Sequence, residues 1–280
     1  MILITGVTGT VGRAVLEQAA GVPARVLIRD AAGAAAFEDV AEVAIGDFAD
    51  PASLEAAVAG IDAAFMASFD GAEQLALQGN LIAAAKHAGV RHMVRLSALS
   101  SDENAEAALA RWHGVADRQL VGSGLGYTLL RPGLFAQNLL EYAASGAIAL
   151  PVGETRVSFI DVRDIAAVAV KALTEPGHQG QTYELTGAEQ LTYGEVAERL
   201  TAATGRQFTF RDMSDDEYHA EMLRQGREPW DADMVVELYR RMRAQGTRKT
   251  TDTVERLLGR PPIGIEAFAR DHAAAFAGAD

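Results

Sequence analysis

The sequence predicts an α/β fold: a doubly wound parallel sheet with a small C-terminal α/β region. Three observations carry this expectation. Short β-branched runs alternate with Ala-rich amphipathic stretches over the first two-thirds of the chain, the pattern of a parallel sheet with helices on both faces. A glycine-punctuated turn joins the first of these runs to the first helical stretch. The chain has 280 residues, 49% of them hydrophobic, which is enough for one large core carrying a smaller appended region.

Strands are expected at Met1–Thr5, Ala24–Ile28, Ala41–Ile45, Asp62–Ala67, His92–Leu96 and Tyr127–Arg131. Helices fall between them near Gly12–Ala20, Ser53–Ala59, Glu73–His87 and Asn104–Val121. The turns Ala88–Val90 and Ser123–Gly126 carry the glycines that such connections need. After Arg131-Pro132-Gly133 the rhythm changes. A helix at Leu134–Ser145 is expected to lead to a strand at Arg156–Ile160, a helix at Asp164–Leu173 and a strand at Thr182–Leu185. A helix at Tyr193–Thr204, a short strand at Gln207–Arg211 and two polar helices over Ser214–Gln245 follow, and Ile265–Phe276 closes the chain. No repeat, low-complexity tract or long linker interrupts this order, so the whole chain reads as a single domain.

Composition excludes several function classes. A formal charge of −13 argues against nucleic acid, because a duplex binder presents a basic face to phosphates. The absence of cysteine excludes disulfides, thiolate catalysis and Cys-ligated metal, and fits a cytoplasmic setting. No apolar run approaches the roughly 18 residues of a membrane span, and Met1–Thr5 reads as a strand rather than a leader. His87, His92, His178, His219 and His272 show no metal-ligand spacing, so no metal is expected, and no flavin. No serine sits in a Gly-x-Ser-x-Gly elbow, which argues against a hydrolase.

Gly6, Gly9 and Gly12 stand at i, i+3 and i+6 after an apolar strand and at the start of a helix, the context of a dinucleotide-binding Rossmann turn. Gly6 permits the tight turn, Gly9 lets the backbone approach a pyrophosphate, and Gly12 lets helix and strand pack closely. Thr8 lies within the turn, and the N–H groups of Thr10, Val11 and Gly12 face the phosphates from the helix N-terminus. At the end of the second strand Arg29 precedes Asp30. An arginine there grips a 2′-phosphate, whereas an acid accepts from a bare ribose, so NADP(H) is favoured over NAD(H). Arg13 adds charge to that end or is simply a solvated surface residue. Asp47 and Phe48, after the third strand, suit adenine, with an N-cap or turn role for Asp47 as the alternative. Residues 1–133 thus form the cofactor-binding core, and roughly 134–280 the substrate region and lid.

With these residues the chain resembles the short-chain dehydrogenase/reductase superfamily. More closely it is similar to the atypical NmrA-like branch that includes NAD(P)H:quinone reductases and triphenylmethane-dye reductases. The segments that carry the resemblance are Thr5–Gly12, Gly46–Phe48, Val94–Ser97, Tyr127–Gly133 with Asn138 downstream, Phe159–Ile165 and Phe268–His272. The resemblance implies a Rossmann fold, a nicotinamide cofactor and a reductase activity. It also implies that Ala67, Ser68, Phe69 and Leu96, at strand ends, face the cofactor's ribose and nicotinamide. Pro132 and Gly133 would place backbone against the carboxamide, and Leu134 and Phe135 would wall the ring.

The chain departs from the family in its acid. Conventional members use a Tyr-x-x-x-Lys pair, whose lysine lowers the tyrosine's pKa for proton transfer. The three lysines, Lys86, Lys171 and Lys249, follow Ile82, Ala167 and Gln245 by four positions, so the pair is missing. Counting back from Tyr127, the corresponding helix offers Leu109, His113 and Asp117. Direct hydride transfer to an acceptor whose product anion is already stable remains open. His113, one turn before Asp117, is the best remaining acid or ribose-binding group, or else a helix residue bonded to backbone. Ser97, ending the fifth strand, holds a substrate oxygen or caps the following loop.

Substrate recognition is expected in the C-terminal third. Phe135 and Asn138 open it, and Trp230, Met234 and Tyr239 lie in an apolar stretch among many charges. Trp230 and Met234 are four apart and share a helix face, which either docks the helix or covers an aromatic substrate as a lid. Three functions are compatible with the sequence. The leading one is an NADP(H)-dependent reductase of a quinone, enone or similar conjugated aromatic molecule, acting as monomer or homodimer. The others are a non-catalytic NAD(P) sensor with a protein partner, and a lyase or oxygenase-type enzyme on the same fold.

Overall fold

The computed structural model describes residues 1–68, 73–245 and 249–277. In chain order the elements are β1 (Ile2–Ile4), α1 (Thr10–Gln18), β2 (Ala24–Ile28), β3 (Glu42–Ile45), α2 (Pro51–Val58), β4 (Ala63–Met66), α3 (Gln74–His87), β5 (His92–Leu96), α4 (Ala108–Gly122) and β6 (Gly126–Pro132). There follow β7 (Leu134–Phe135), β8 (Ala147–Leu150), β9 (Phe159–Ile160), α5 (Val162–Thr174), β10 (Gln181–Leu185), α6 (Tyr193–Thr204) and β11 (Thr209–Asp212). The chain closes with α7 (Asp215–Arg224), α8 (Pro229–Gln245), α9 (Thr253–Leu258), α10 (Ile265–Asp271) and α11 (Ala273–Phe276). Short 3-10 turns lie at Ala31–Ala36 and Ala136–Tyr142. The residues group into two compact units, Met1–Pro132 with Val162–Leu185, and Gly133–Asp161 with Thr186–Asp280.

In the first unit the β-branched runs pair into a parallel sheet, seven strands among the described residues, in the order β3-β2-β1-β4-β5-β6-β10. Side chains alternate between its faces, as the two-residue period of a strand requires. Leu3, Leu27, Met66, Met93 and Leu129 pack with α2, α3 and Leu120 of α4 in one core cluster. The intervening Ile4, Val26, Phe65, Val94 and Leu130 are also buried, and α5, which packs on α1, covers β4, β5 and β6. Strand order reverses between β1 and β4, so the chain leaves those strands in opposite directions and opens a crevice at their carboxyl ends.

The segment Val162–Leu185, read from sequence as part of the later region, joins this unit. Its strand β10 runs parallel to β6, from Gln181 beside Thr128 to Leu185 beside Pro132, with α5 as a covering helix. An edge position beside β6 is a property of pairing partners, and hydrophobic period alone does not name a partner.

In the second unit two short parallel pairs, β7 with β9 and β8 with β11, surround a core that includes Leu139, Ile148, Phe159, Val196, Leu200, Phe268 and Phe276. Capping boxes start α6 (Thr192 with Glu195) and α7 (Ser214 with Glu217). The helix expected at Leu134–Ser145 is absent. Leu134 and Phe135 are extended because they pair with Phe159 and Ile160, and only a 3-10 turn follows. The closing helix also divides at His272, whose ring Nδ1 lies 2.9 Å from the Phe268 carbonyl. Strand β8 and helix α9 have no counterpart in the sequence reading. The Ala-Ile-Ala-Leu run of β8 carries a weak β signal.

At the amino end of β5, in the first unit, His92 lies 2.9 Å from the Thr128 hydroxyl, which in turn donates to the His178 carbonyl at 2.6 Å. Burial, with nearby His178 as the second cause, holds His92 below its ordinary value of 6.5. A histidine kept neutral in the fold but free to protonate in the unfolded chain contributes nothing above that value and costs stability as pH falls through it. The unfolding midpoint is therefore expected to drop between about pH 7.5 and about pH 5.5, and to drop less in His92→Gln. Thermal melts of both proteins across that range check this; equal pH dependence in the two would refute it.

Candidate functional site

The turn between β1 and α1 forms because three glycines meet three different constraints. Gly6 has a φ of +70°, and a Cβ there would stand 3.1 Å from the Ala67 Cβ. At Gly12 a Cβ would fall 2.2 Å from the Gly6 carbonyl oxygen, so only glycine lets α1 lie this close to the turn. Gly9 differs: a Cβ would meet nothing nearer than the Gly6 oxygen at 3.4 Å. Thr8, Gly9 and Thr10 are exposed, and Gly9 caps α1 with no side-chain hydrogen bond. The first-turn N–H groups from Thr10 through Val11 to Gly12 are thus left to an external acceptor, the arrangement that binds a phosphate. Thr5 ties this turn to the end of β4, exchanging hydrogen bonds with the backbone of Ala67 at 2.9 and 3.0 Å.

At the end of β2, Arg29 and Asp30 are both exposed, but their roles separate. The Asp30 carboxylate accepts the Ala32 N–H at 2.9 Å and caps the 3-10 turn. The Arg13 guanidinium lies 5.9 Å from the centre of the Phe37 ring. After β3, one carboxylate oxygen of Asp47 accepts the Ala49 N–H at 2.9 Å, so the turn role is present. Phe48 is half-buried against the core, and its carbonyl accepts from the Asn80 amide at 2.8 Å.

The ends of β4 and β5 are joined by a buried polar network. Arg95, the penultimate residue of β5, is 0% exposed. Its Nε donates to Gln78 Oε1 at 2.8 Å and its Nη1 to Asp117 Oδ1 at 2.5 Å, and its Nη2 lies 3.3 Å from His113 Nδ1. Gln78 passes the chain on to the Ser68 hydroxyl at 2.7 Å. Asp117 also accepts from Ser97 at 2.9 Å and, through Oδ2, from Nε and Nη2 of Arg131 at 3.0 and 2.8 Å. Ser97 is buried, with its hydroxyl 2.9 Å from that of Ser101. In the loop that carries them, Ser100 has a φ of 132°, a conformation that costs a non-glycine residue about 1–3 kcal/mol. Leu96 is half-buried beside this network, and Pro132 is buried at the end of β6.

His113 and Asp117, read from sequence as a pair one turn apart, are thus both ligands of Arg95. The sequence reading missed Arg95, Gln78, Arg131 and Ser101 as members of the site. A signal was present: an arginine inside the apolar strand His92–Leu96 must find partners or be expelled. Phe69 lies outside the described residues.

In the second unit, Gly133, Leu134 and Phe135 are half-buried and Asn138 is exposed. Helix α8 separates the residues that the sequence had grouped. Ala232 and Val236 are buried, Tyr239 follows them on the same face, and Tyr218 meets the Tyr239 ring edge-on at 5.5 Å. Burial, with the Tyr193, Tyr218 and Tyr142 phenols, pushes the Tyr239 hydroxyl well above its ordinary value. Trp230 is 53% exposed, and Met234 shares its side of the helix. Nine residues at about 100° each place Tyr239 half a turn from Trp230, so the two cannot form one stacking wall.

Residues 6–176 match a sequence-family model described as NAD(P)H-binding. The chain is 39% identical to an NAD(P)H azoreductase of Xenophilus azovorans, over 100% of both chains. Among solved structures it is similar to an NADPH-dependent quinone oxidoreductase from Escherichia coli complexed with NADPH, with a TM-score of 0.87 and 29% identity over 97% of this chain and 99% of that one. It is also similar to the Citrobacter triphenylmethane reductase complexed with NADP(H), with a TM-score of 0.85 and 25% identity over 98% and 100%. No helix among the described residues is long and apolar enough to cross a membrane.

The two exchangeable-looking glycines are expected to respond differently. Gly12→Ala must displace α1 from the turn and should cost roughly 1–3 kcal/mol of stability or more. Gly9→Ala adds a methyl group at an open position, so its stability should stay within about 1 kcal/mol while nucleotide affinity falls. Melting curves and a fluorescence titration of nucleotide check both, and a Gly12→Ala protein as stable as the parent would contradict the packing argument.

Proposed function

The chain belongs to the NAD(P)H-binding family and is an NAD(P)H-dependent oxidoreductase, and from that premise we propose that it uses NADP(H) to reduce flat conjugated acceptors of the quinone or azo type by direct hydride transfer. The observation that carries the reading is an open dinucleotide turn in the same unit as an α4 that offers Leu109, His113 and Asp117 in place of a tyrosine–lysine acid. A quinone-like acceptor suits such a site, because the anion formed is stable enough to take its proton from water.

In this reading the α1 N-terminus and Thr8 hold the pyrophosphate, and Gly9 gives the backbone room to approach it. Arg29 holds the 2′-phosphate. Support comes from Arg29, exposed at the end of β2, while one oxygen of the neighbouring Asp30 carboxylate already accepts the Ala32 N–H and caps the following turn. Asp47 and Phe48 receive the adenine. Ala67, Ser68, Leu96 and Pro132 line the ribose and nicotinamide. When bound, the reduced nicotinamide supplies the hydride. His113 hydrogen-bonds the ribose or the acceptor oxygen, and Ser97 keeps Asp117 in place. Phe135, Asn138, Trp230 and Met234 serve substrate recognition, with flat rings meeting Trp230. Tyr239, turned toward Tyr218, acts from behind α8 as its anchor.

A fluorescence titration with NADPH and NADH tests the cofactor. NADPH should bind the wild type more tightly, and Arg29→Ala should weaken NADPH by about tenfold to a hundredfold, as loss of charge-assisted bonds to a phosphate implies, while sparing NADH. Equal binding of both nucleotides with no effect of the substitution would rule out the 2′-phosphate role. The acceptor is tested by following NADPH consumption with a naphthoquinone, an enone and a monoazo dye. Turnover of at least one is expected, and none across the set would sink the proposed reaction.

A further inference from the structure

We propose that Arg95 is a positioning residue for the reaction, fixing His113 in one tautomer and tying the loops after β4 and β5 to α4. The inference rests on the reading that His113 works at the cofactor or acceptor. Three sides of one guanidinium carry it: Nε on Gln78, Nη1 on Asp117 and Nη2 toward His113 Nδ1. A guanidinium N–H only donates, so the nitrogen facing it must offer a lone pair. Neutral His113 therefore carries its proton on Nε2, and is a hydrogen-bond donor at that atom rather than a base. A donor favours reduction of an acceptor oxygen or nitrogen, whereas alcohol oxidation by the usual route would need a base.

The same guanidinium organises the strand ends. Through Gln78 it reaches Ser68 after β4, and through Asp117 it reaches Ser97 after β5. Ser97 and Ser101 then brace the loop that holds Ser100 at its φ of 132°. The neighbouring segment is pressed onto α4 as well, since a Cβ on Gly114 would fall 2.2 Å from the Asp102 carbonyl carbon. Lysine cannot replace this fork, because a single ammonium on a flexible stem lacks the fixed, planar set of donors that a guanidinium presents to three partners.

The test begins with the wild type labelled with ring-15N histidine, the His113 signals being assigned by their loss in His113→Gln. An unprotonated Nδ1 and a protonated Nε2 are expected, and a proton on Nδ1 would overturn the proposal without any further variant. Arg95→Lys should then show mixed tautomers at His113. Its kcat should fall on the order of tenfold to a hundredfold, and its Kd for NADPH should change far less. An Arg95→Lys enzyme with the wild-type tautomer and kcat would also overturn it. Full activity in His113→Gln would instead sink the reading of His113 on which the proposal rests, whatever the tautomer.

Discussion

A guanidinium with no solvent exposure, set in the middle of a parallel sheet, is tolerable only when its N–H groups are bonded and its charge is met. Arg95 imposes that condition on the cofactor-binding unit. Asp117 must arrive from α4, Gln78 from α3, and His113 one turn before Asp117, all within hydrogen-bonding reach of one side chain. Breaking a buried pair of this kind typically costs about 3–5 kcal/mol, because the surviving charge is left without a partner. Packing of α3 and α4 on the sheet is thereby coupled to polar geometry as well as to the apolar contacts of Leu81, Ile82 and Leu120. Arg131 adds a second fork on Asp117, which spans β5, β6 and α4 with one carboxylate.

The carboxyl edge of the sheet divides into two chemical environments. Around β1, β2 and α1 the polar groups are backbone N–H donors at the helix start, the exposed cations Arg13 and Arg29, and Asp30, whose carboxylate caps the following turn. Around β4, β5 and β6 the polar groups are buried side chains already bonded to one another. Loss of the tyrosine–lysine pair goes with this second environment. His113 of α4 turns its Nδ1 toward an arginine, and the sheet supplies that arginine from its own interior.

Much of this was legible in the sequence. Strands β2 and β5 and helix α6 lie at their expected residues, and β1, β3, β4 and β6 differ by a residue at one or both ends. The three glycines of the β1–α1 turn have the stereochemical demands that their spacing suggests, and Arg29 and Asp30 stand exposed at the end of β2. Less was legible after Gly133. A pairing of Leu134–Phe135 with Phe159–Ile160 displaced an expected helix, and β10 returned to the first sheet. Tyr239 turned inward while Trp230 stayed in solvent, although both are aromatic and lie on one helix.

The division has a physical origin. Hydrophobic period, glycine stereochemistry and the order of charges at a strand end are local properties, settled by residues within a turn or two of each other. They determined the fold class, the nucleotide turn and the arginine at the second strand. Partners for buried polar groups and for strand edges are decided by which elements come to lie side by side. Arg95 meets Gln78, His113 and Asp117 across separations of 17, 18 and 22 residues, and only the packed tertiary structure could bring them to one point.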